Sequence, residues 1–493
     1  MKSLLTKLEN RLFIALLCLL VWLPLPLGSN RPWAEAIFEI WVAVLCLLWI
    51  TGFQRKLVMP GESFKGSQTV LYVLVIWLIY VLLQLLPLPV ILRQVLSPES
   101  LSIYQLSGES GWAPLSLYPY ATFLFWLKSV AYVALFALML LLVNSKQRLV
   151  ILGYTLVFSA VFQALYGSVM TLSGLEYGFF VKKVAYLGNA TGTFVNRNHL
   201  AGYLEMVSAI GIGLLMATAY QKQHVRSWRQ RLRNLISLML SQKLLLRLML
   251  ATMVIALVLT RSRMGNTGFF SSMLITGLIT LLVFRKRFGS FSKMFKRSDT
   301  RSTVLLISSL IVIDLFIVGT WFGVEKVAQR ISASSVSHDS DRIEVSENTL
   351  SIVKDYPLIG TGGGSFSFAY PHYRGESIER YYDHAHEDYL EMLSEVGVIG
   401  FSLLALVVLL SMWAALKALL YRHDKLMQGM AFASIMATIA LLIHSTVDFN
   451  LQIPANAATF MVILALGWLA LNLDRSSELT DNIKNQEFMK HGK

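Results

Sequence analysis

Asp383-His384-Ala385-His386-Glu387-Asp388-Tyr389-Leu390 lies near the end of the longest interval of this chain without a membrane-length apolar run, residues 321–400. The same interval holds Arg342 and the cluster Gly360-Thr361-Gly362-Gly363-Gly364. Apolar runs at 302–318 and 396–412 bracket it. If the interval sits outside a membrane, the rest of the chain reads as the scaffold that holds it there.

The wider sequence supports that reading. The chain has 493 residues, 55% hydrophobic and only 15% charged, whereas about a quarter of a soluble protein is charged. Runs of about 20 apolar residues, enough to cross a bilayer core, recur at 12–28, 34–52, 69–92, 121–143, 149–172, 199–219, 248–260, 266–284, 302–322, 396–416, 427–446 and 456–473. The expected fold class is therefore an all-α polytopic membrane protein, with about 12 transmembrane helices and a large helical periplasmic loop. Lys2, Lys7 and Arg11 precede the first run as they would in a signal peptide. There is no clear small-residue cleavage site and many spans follow, so the run reads as a membrane helix. The two cysteines, Cys18 and Cys46, both fall in expected spans, which excludes a disulfide framework and a cysteine metal cluster.

The net charge of +14 is distributed unevenly. Most Lys and Arg residues fall at the N-terminus, 55–65, 146–148, 222–247, 285–301, 417–425 and the C-terminal tail. Short loops rich in Lys and Arg stay cytoplasmic, and an even number of spans puts both termini there. The expected division is a bundle of nine spans over 1–322, a periplasmic loop domain with catalytic residues over 323–395, three spans over 396–473, and a cytoplasmic tail over 474–493. The basic runs read as topology signals and contacts to anionic membrane lipids, so nucleic acid is not an expected partner.

Four outer-end features carry chemistry. The first is Gly192-Thr193-Phe194-Val195-Asn196-Arg197-Asn198-His199, entering the sixth span. Asn and His can cap a helix start, but Arg197 opposes the helix dipole there. It points to an external anion, the structural alternative being a pair with Glu205 or a headgroup. The second is the tight turn Thr260-Arg261-Ser262-Arg263-Met264-Gly265-Asn266 between two spans. The planar guanidinium fork suits bidentate phosphate binding, though headgroup anchoring uses the same residues. The third is Arg342, in the first turn of a helix that Asp339 or Ser340 caps and that carries Ile343, Leu350 and Val353 on one side. Asp339-Ser340-Asp341 matches a metal-binding D-x-D pattern, but capping explains it equally, so no metal is expected. The fourth is His386. With Asp383 as N-cap, it takes the third helical position, where the positive helix end favours a neutral imidazole, and it is the best general base on offer. His384 points elsewhere and is a weaker candidate.

Other features read as structure. The glycine cluster lacks the Lys-Ser/Thr of a phosphate-binding loop and suits a turn or a close backbone approach. The polar string from His444 to Asn456 reads as a hydrogen-bonded turn between the last two spans. Glu35, Glu39, Lys128 and Asp314 are the ionisable residues within other spans, and Glu35 lies near an interface where it can snorkel.

Three cationic sites and a candidate base suit a substrate with strong negative charge and a hydroxyl to activate. At the outer face of a bacterial inner membrane, a polyprenyl-diphosphate-linked glycan fits, with arginines on the diphosphate leaving group. The residues that suggest this also resemble a known family. Phe194-Val195-Asn196-Arg197-Asn198-His199, Ser262-Arg263-Met264-Gly265, Tyr356-Pro357-Leu358-Ile359-Gly360 and His386-Glu387-Asp388-Tyr389-Leu390 with Glu395-Val396-Gly397 are similar to motifs of the O-antigen ligase/O-antigen polymerase superfamily of integral-membrane glycosyltransferases. That family often has His-Asn in place of His386-Glu387, and Ser-Arg-Gly in place of Ser262-Arg263-Met264-Gly265. The resemblance implies a GT-C-like fold and metal-independent transfer, and no cofactor is expected. It also implies catalytic roles for Arg197 and Arg263 on the diphosphate and for His386 near the acceptor. Arg261, Arg342, His199, His384 and His444 are the further substrate-binding candidates. A polymerase of O-antigen or exopolysaccharide is the favoured reading, with a ligase to lipid A-core as the alternative and protein glycosylation as a third branch. A transporter is the alternative of a different class, which would place its site near the bilayer midplane.

Overall fold

The computed structural model describes residues 2–109, 111–218, 242–288, 336–375, 378 and 381–475. The long helices are α1 (Lys2–Trp22), α2 (Pro32–Gln54), α3 (Gln68–Leu85), α4 (Pro119–Leu142), α5 (Lys146–Leu172), α6 (Arg197–Ala217), α7 (Gln242–Leu259), α8 (Arg263–Phe288), α9 (Val336–Asp355), α10 (Asp388–Tyr421), α11 (Lys425–His444) and α12 (Pro454–Asn472). Among the described residues the single sheet is a hairpin of β1 (Tyr177–Gly178) and β2 (Val181–Lys182). Nine described helices are long and apolar enough to cross a membrane: α2 to α6, α8, and α10 to α12. The expected runs at 12–28 and 248–260 fall on α1 and α7, and the run at 302–322 lies outside the described residues. The chain is an all-α polytopic membrane protein.

Local chemistry sets the helix starts. Asn196 caps α6 by accepting from the Asn198 amide at 2.9 Å. Asp424 caps α11 by accepting from the Leu426 amide at 2.8 Å. Pro32, Pro119 and Pro454 occupy first-turn positions, where a missing N–H costs nothing. Burial then sorts the helices. α6 and α12 are buried along almost their whole length, whereas α2 turns Ile40 and Leu47, each 63% exposed, outward. In a membrane those side chains meet lipid tails, which are as apolar as the interior. Near the last turn of α6 and the first turn of α11, Gly213 and Gly429 lie backbone to backbone, so that a Cβ on either would meet the other's carbonyl.

The two ends of the bundle differ. At one end, the basic residues of the short loops are tied down. Lys146 pairs with Asp424 at 2.7 Å. Arg422 donates to the carbonyls of Leu471 and Leu473, at 2.9 and 2.7 Å, closing the C-terminus of α12. Arg287, at the last turn of α8, donates to the Arg422 carbonyl. Lys128, expected within its span, lies 3.6 Å from Glu35 in the first turn of α2, and both side chains are partly exposed. Asp314 lies outside the described residues.

At the other end, the glycine cluster is threaded into a break in α10. Gly397 (φ 61°) interrupts that helix, and Gly360 (φ 77°) crosses it so closely that a Cβ on Gly360 would meet the Glu395 carbonyl. Val398 donates to the Pro357 carbonyl at 2.9 Å, and Thr361 to the Ser394 carbonyl at 2.8 Å. Gln84 of α3 stitches the crossing: its Nε2 donates to the Ile359 carbonyl at 2.8 Å, and its Oε1 accepts from the Gly363 amide at 3.1 Å. The cluster is thus a close backbone approach. The segment anchors α9, whose packed side is Val345, Thr349, Ile352 and then Tyr356. This corrects the expected face: Ile343 is 62% exposed, because an apolar side chain here borders a cleft rather than the core. Asp339 and Ser340 lie within α9 rather than at its start, and their side chains are outside the described residues.

Candidate functional site

Arg197, Arg263, Arg342, His386 and His444 line one cleft of about 670 Å³. They arrive from five places in the sequence: the first residues of α6 and α8, the first half of α9, the turn before α10, and the last residue of α11. The cleft therefore sits where helix ends meet, away from the basic loops at the other end.

Arg197 Nη1 donates to Asn189 Oδ1 at 3.0 Å, and the guanidinium lies over the Tyr186 ring, 5.8 Å from its centroid. Its Nε is buried and has no hydrogen-bond partner among the described residues. Glu205 is not its partner, because Glu205 binds His444 instead. The charges of Arg342, Arg263 and Arg261 all bear on Arg197, an arrangement that favours an anion between them. Arg263 opens α8 and is exposed to the cleft. Arg261 forms the reversal between α7 and α8 in a left-handed conformation (φ 53°) and does not line the cleft.

His386 differs from its expected place. α10 begins at Asp388, and its cap is Glu387, which accepts from the amides of Tyr389 at 3.2 Å and Leu390 at 2.8 Å. Asp383 is not the cap, and His386 precedes the helix in a left-handed conformation (φ 57°). A non-glycine residue there costs roughly 1–2 kcal/mol, and such strain concentrates at functional sites. Its imidazole is neutral for another reason than a helix end: burial first, and then the Arg342 charge, push its pKa down to about 4. Nδ1 is buried without a hydrogen-bond partner among the described residues.

His199 and His384 stand behind the cleft around a common ring. Phe449 packs edge-on to His199 and His386, at 4.7 and 4.8 Å between centroids, and stacks on His384 at 4.5 Å. His384 Nδ1 lies 2.7 Å from Glu391 Oε1. Burial opposes charge on His384, but the Glu391 carboxylate outweighs it and lifts the pKa to about 9. His199 Nε2 is 3.8 Å from Asp448 Oδ1, an ion-pair distance rather than a hydrogen bond. Burial works against the Asp448 carboxylate, yet pairing with His199 holds it well below the usual carboxylate range. Neither histidine lines the cleft.

The string from His444 to Asn456 is the hydrogen-bonded turn expected of it. The Asp388 amide donates to the carbonyls of Ser445 and Asp448, at 3.1 and 3.2 Å. Asp388 Oδ2 accepts from Ser445 Oγ at 2.7 Å and from the Leu451 amide at 3.1 Å. At its start, His444 Nδ1 sits 3.1 Å from Glu205 Oε1, both fully buried. Glu205, Glu391, Asp448 and Phe449 are the residues that sequence reasoning did not single out. Glu205 did give a signal, an ionisable group deep in an apolar helix. Phe449 gave none. Among the described residues, no three His, Cys, Asp or Glu side chains converge as a metal site would require.

Compared with known proteins, residues 248–405 match the family model described as O-antigen ligase. The match includes Arg263, Arg342 and His386 and leaves Arg197 and His444 outside it. No curated protein matches the chain.

Proposed function

We propose, taking as premise that residues 248–405 place this membrane protein in the O-antigen ligase/polymerase superfamily, that it transfers a polyprenyl-diphosphate-linked glycan to the hydroxyl of an acceptor sugar at the periplasmic face of a bacterial inner membrane. The observation that carries this reading is the convergence of Arg197, Arg263, Arg342 and His386 on one cleft. Three guanidinium groups, two at helix starts and Arg342 in the first half of α9, form a seat for a diphosphate, and the Arg197 Nε has no hydrogen-bond partner among the described residues. As the bond from the sugar's anomeric carbon to the diphosphate lengthens, charge builds on the leaving oxygen, and donors fixed in advance stabilise it without reorganising. The neutral His386 offers a lone pair to the acceptor hydroxyl and orients it for attack.

Within this reaction class we take forward a polymerase that adds repeat units to another lipid-linked glycan, against a ligase that uses lipid A-core. Metal-independent transfer is part of the same proposal. The test is purified protein in lipid nanodiscs, given a polyprenyl-diphosphate oligosaccharide and either acceptor. Elongation of the lipid-linked glycan supports the polymerase, and transfer only to lipid A-core supports the ligase. A protein that binds the donor and moves it across the bilayer without transferring it would be a transporter.

A further inference from the structure

The turn at the cleft's edge ends on a pair that the reading above does not use. Glu205 lies two turns into α6 and His444 closes α11. Their contact, His444 Nδ1 to Glu205 Oε1, is 3.1 Å, and neither side chain meets solvent. The other two polar atoms, His444 Nε2 and Glu205 Oε2, are buried without hydrogen-bond partners among the described residues. Such atoms are rare in folded proteins, and they ask for an explanation in function. His444 also lines the cleft that holds the three arginines. A carboxylate that fixes Nδ1–H leaves Nε2 as the basic atom, the arrangement by which a carboxylate orients an imidazole for proton transfer.

The pair is built into the diphosphate seat as well. A Cβ on Gly265 would stand 3.1 Å from His444 Cε1, and one on Gly268 would stand 3.1 Å from Glu205 Oε2. The first turns of α8 therefore rest directly on the pair, and Arg263 opens that helix.

We infer that the buried Glu205–His444 pair is the proton acceptor of the transfer reaction, with Nε2 of His444 receiving the acceptor hydroxyl's proton. This rests on the proposed glycan transfer. The acceptor oxygen forms a bond to the anomeric carbon, and the bond from that carbon to the diphosphate oxygen breaks with its electron pair going to the diphosphate. The hydroxyl proton passes to His444, and the Glu205 carboxylate balances the resulting charge. His386 shares the cleft but not this ability: among the described residues no carboxylate hydrogen-bonds to it, and burial with the Arg342 charge outweighs the more distant Asp448 and Asp383 and pushes its pKa down to about 4. It orients the hydroxyl, while the pair keeps the proton. Besides Glu205, the charged or titratable groups around His444 are Arg263, Asp388, Asp448, His199 and His386.

The experiment uses the full-length protein in nanodiscs, with a polyprenyl-diphosphate oligosaccharide as donor, and measures donor binding separately from turnover across pH. His444→Gln should slow turnover of bound donor by roughly 10²–10⁴-fold, with donor affinity unchanged within about threefold. Wild-type turnover should rise as pH climbs through the titration of the pair. A neighbouring carboxylate raises a histidine's pKa, so Glu205→Gln should move that rise to lower pH while reducing the plateau. A merely structural pair would leave the pH profile in place. Turnover of His444→Gln within threefold of wild type, or an unmoved profile in Glu205→Gln, overturns the inference. If a single variant does not fold, the double variant Glu205→Gln/His444→Gln, which can keep a neutral hydrogen bond, is read by the same turnover criterion. Wild-type protein that transfers nothing sinks the glycan-transfer reading itself, a different failure from an active His444→Gln.

Discussion

His386 and His384, two residues apart, are driven in opposite directions by what faces them. Burial and Arg342 leave His386 neutral, with a pKa near 4, while Glu391 holds His384 charged to about 9. The His384 pair has a consequence for stability. A histidine whose folded pKa lies above its unfolded value of about 6.5 contributes stability that is fully present below pH 6.5 and is lost as pH rises through 9. We expect the melting temperature in detergent to fall between pH 7 and 10, and the fall to shrink in His384→Gln. An equal fall in the variant would assign the effect to other groups. At His386 itself, His386→Ala should leave donor binding nearly intact and slow turnover by about 10²-fold, the usual cost of a misplaced reacting group. Lost donor binding with normal turnover of what binds would make the histidine a ligand contact only. The residue types at the site were legible in the sequence, because an arginine at a helix start and a histidine in an acidic string are both unusual. Their partners were not, because Glu391, Asp448 and Phe449 act through contacts that only the folded chain creates.

Among the elements, the break in α10 is the least legible. The sequence reads as a helix capped by Asp383 followed by a separate apolar span from 396, yet a single helix, Asp388–Tyr421, runs through the break at Gly397. The reason is long-range: backbone groups of the glycine segment hydrogen-bond to the interrupted turn, and Gln84 and Tyr80 of α3 hold both strands of the crossing. Gly397→Ala forces a side chain onto a left-handed residue and into the Leu358 carbonyl. We expect it to lower the melting temperature and to weaken donor turnover through displacement of the turn that carries His386. A Gly397→Ala protein with wild-type stability would show that the break relaxes. The long spans themselves were readable from hydropathy alone, since each is longer and more apolar than a soluble helix needs to be. The start of α10 was misplaced because Asp383 and Glu387 are both capable caps, and only the fold shows that Glu387 turns its carboxylate onto the helix amides.

For the molecule as a whole, the separation of the two ends is what makes the proposed chemistry work. Basic loops gather at one end and the cleft at the other, so in the proposed orientation, which follows the charge bias, the cleft faces outward. In a Cys18→Ser/Cys46→Ser background, a cysteine at Ser351 should react with an impermeant reagent in intact spheroplasts, and a cysteine at His423 only after permeabilisation. The reverse pattern would put the cleft in the cytoplasm. Transfer should also survive strong chelation, and activity lost to EDTA and restored by Mg²⁺ or Mn²⁺ would overturn metal independence. The most direct measurement is transfer by Arg263→Lys. Lysine keeps the charge and loses the planar fork, so the variant should bind a polyprenyl-diphosphate glycan weakly and transfer it at least tenfold more slowly than wild type. Wild-type binding and transfer by Arg263→Lys would mean that the three-arginine cleft is not where the diphosphate sits.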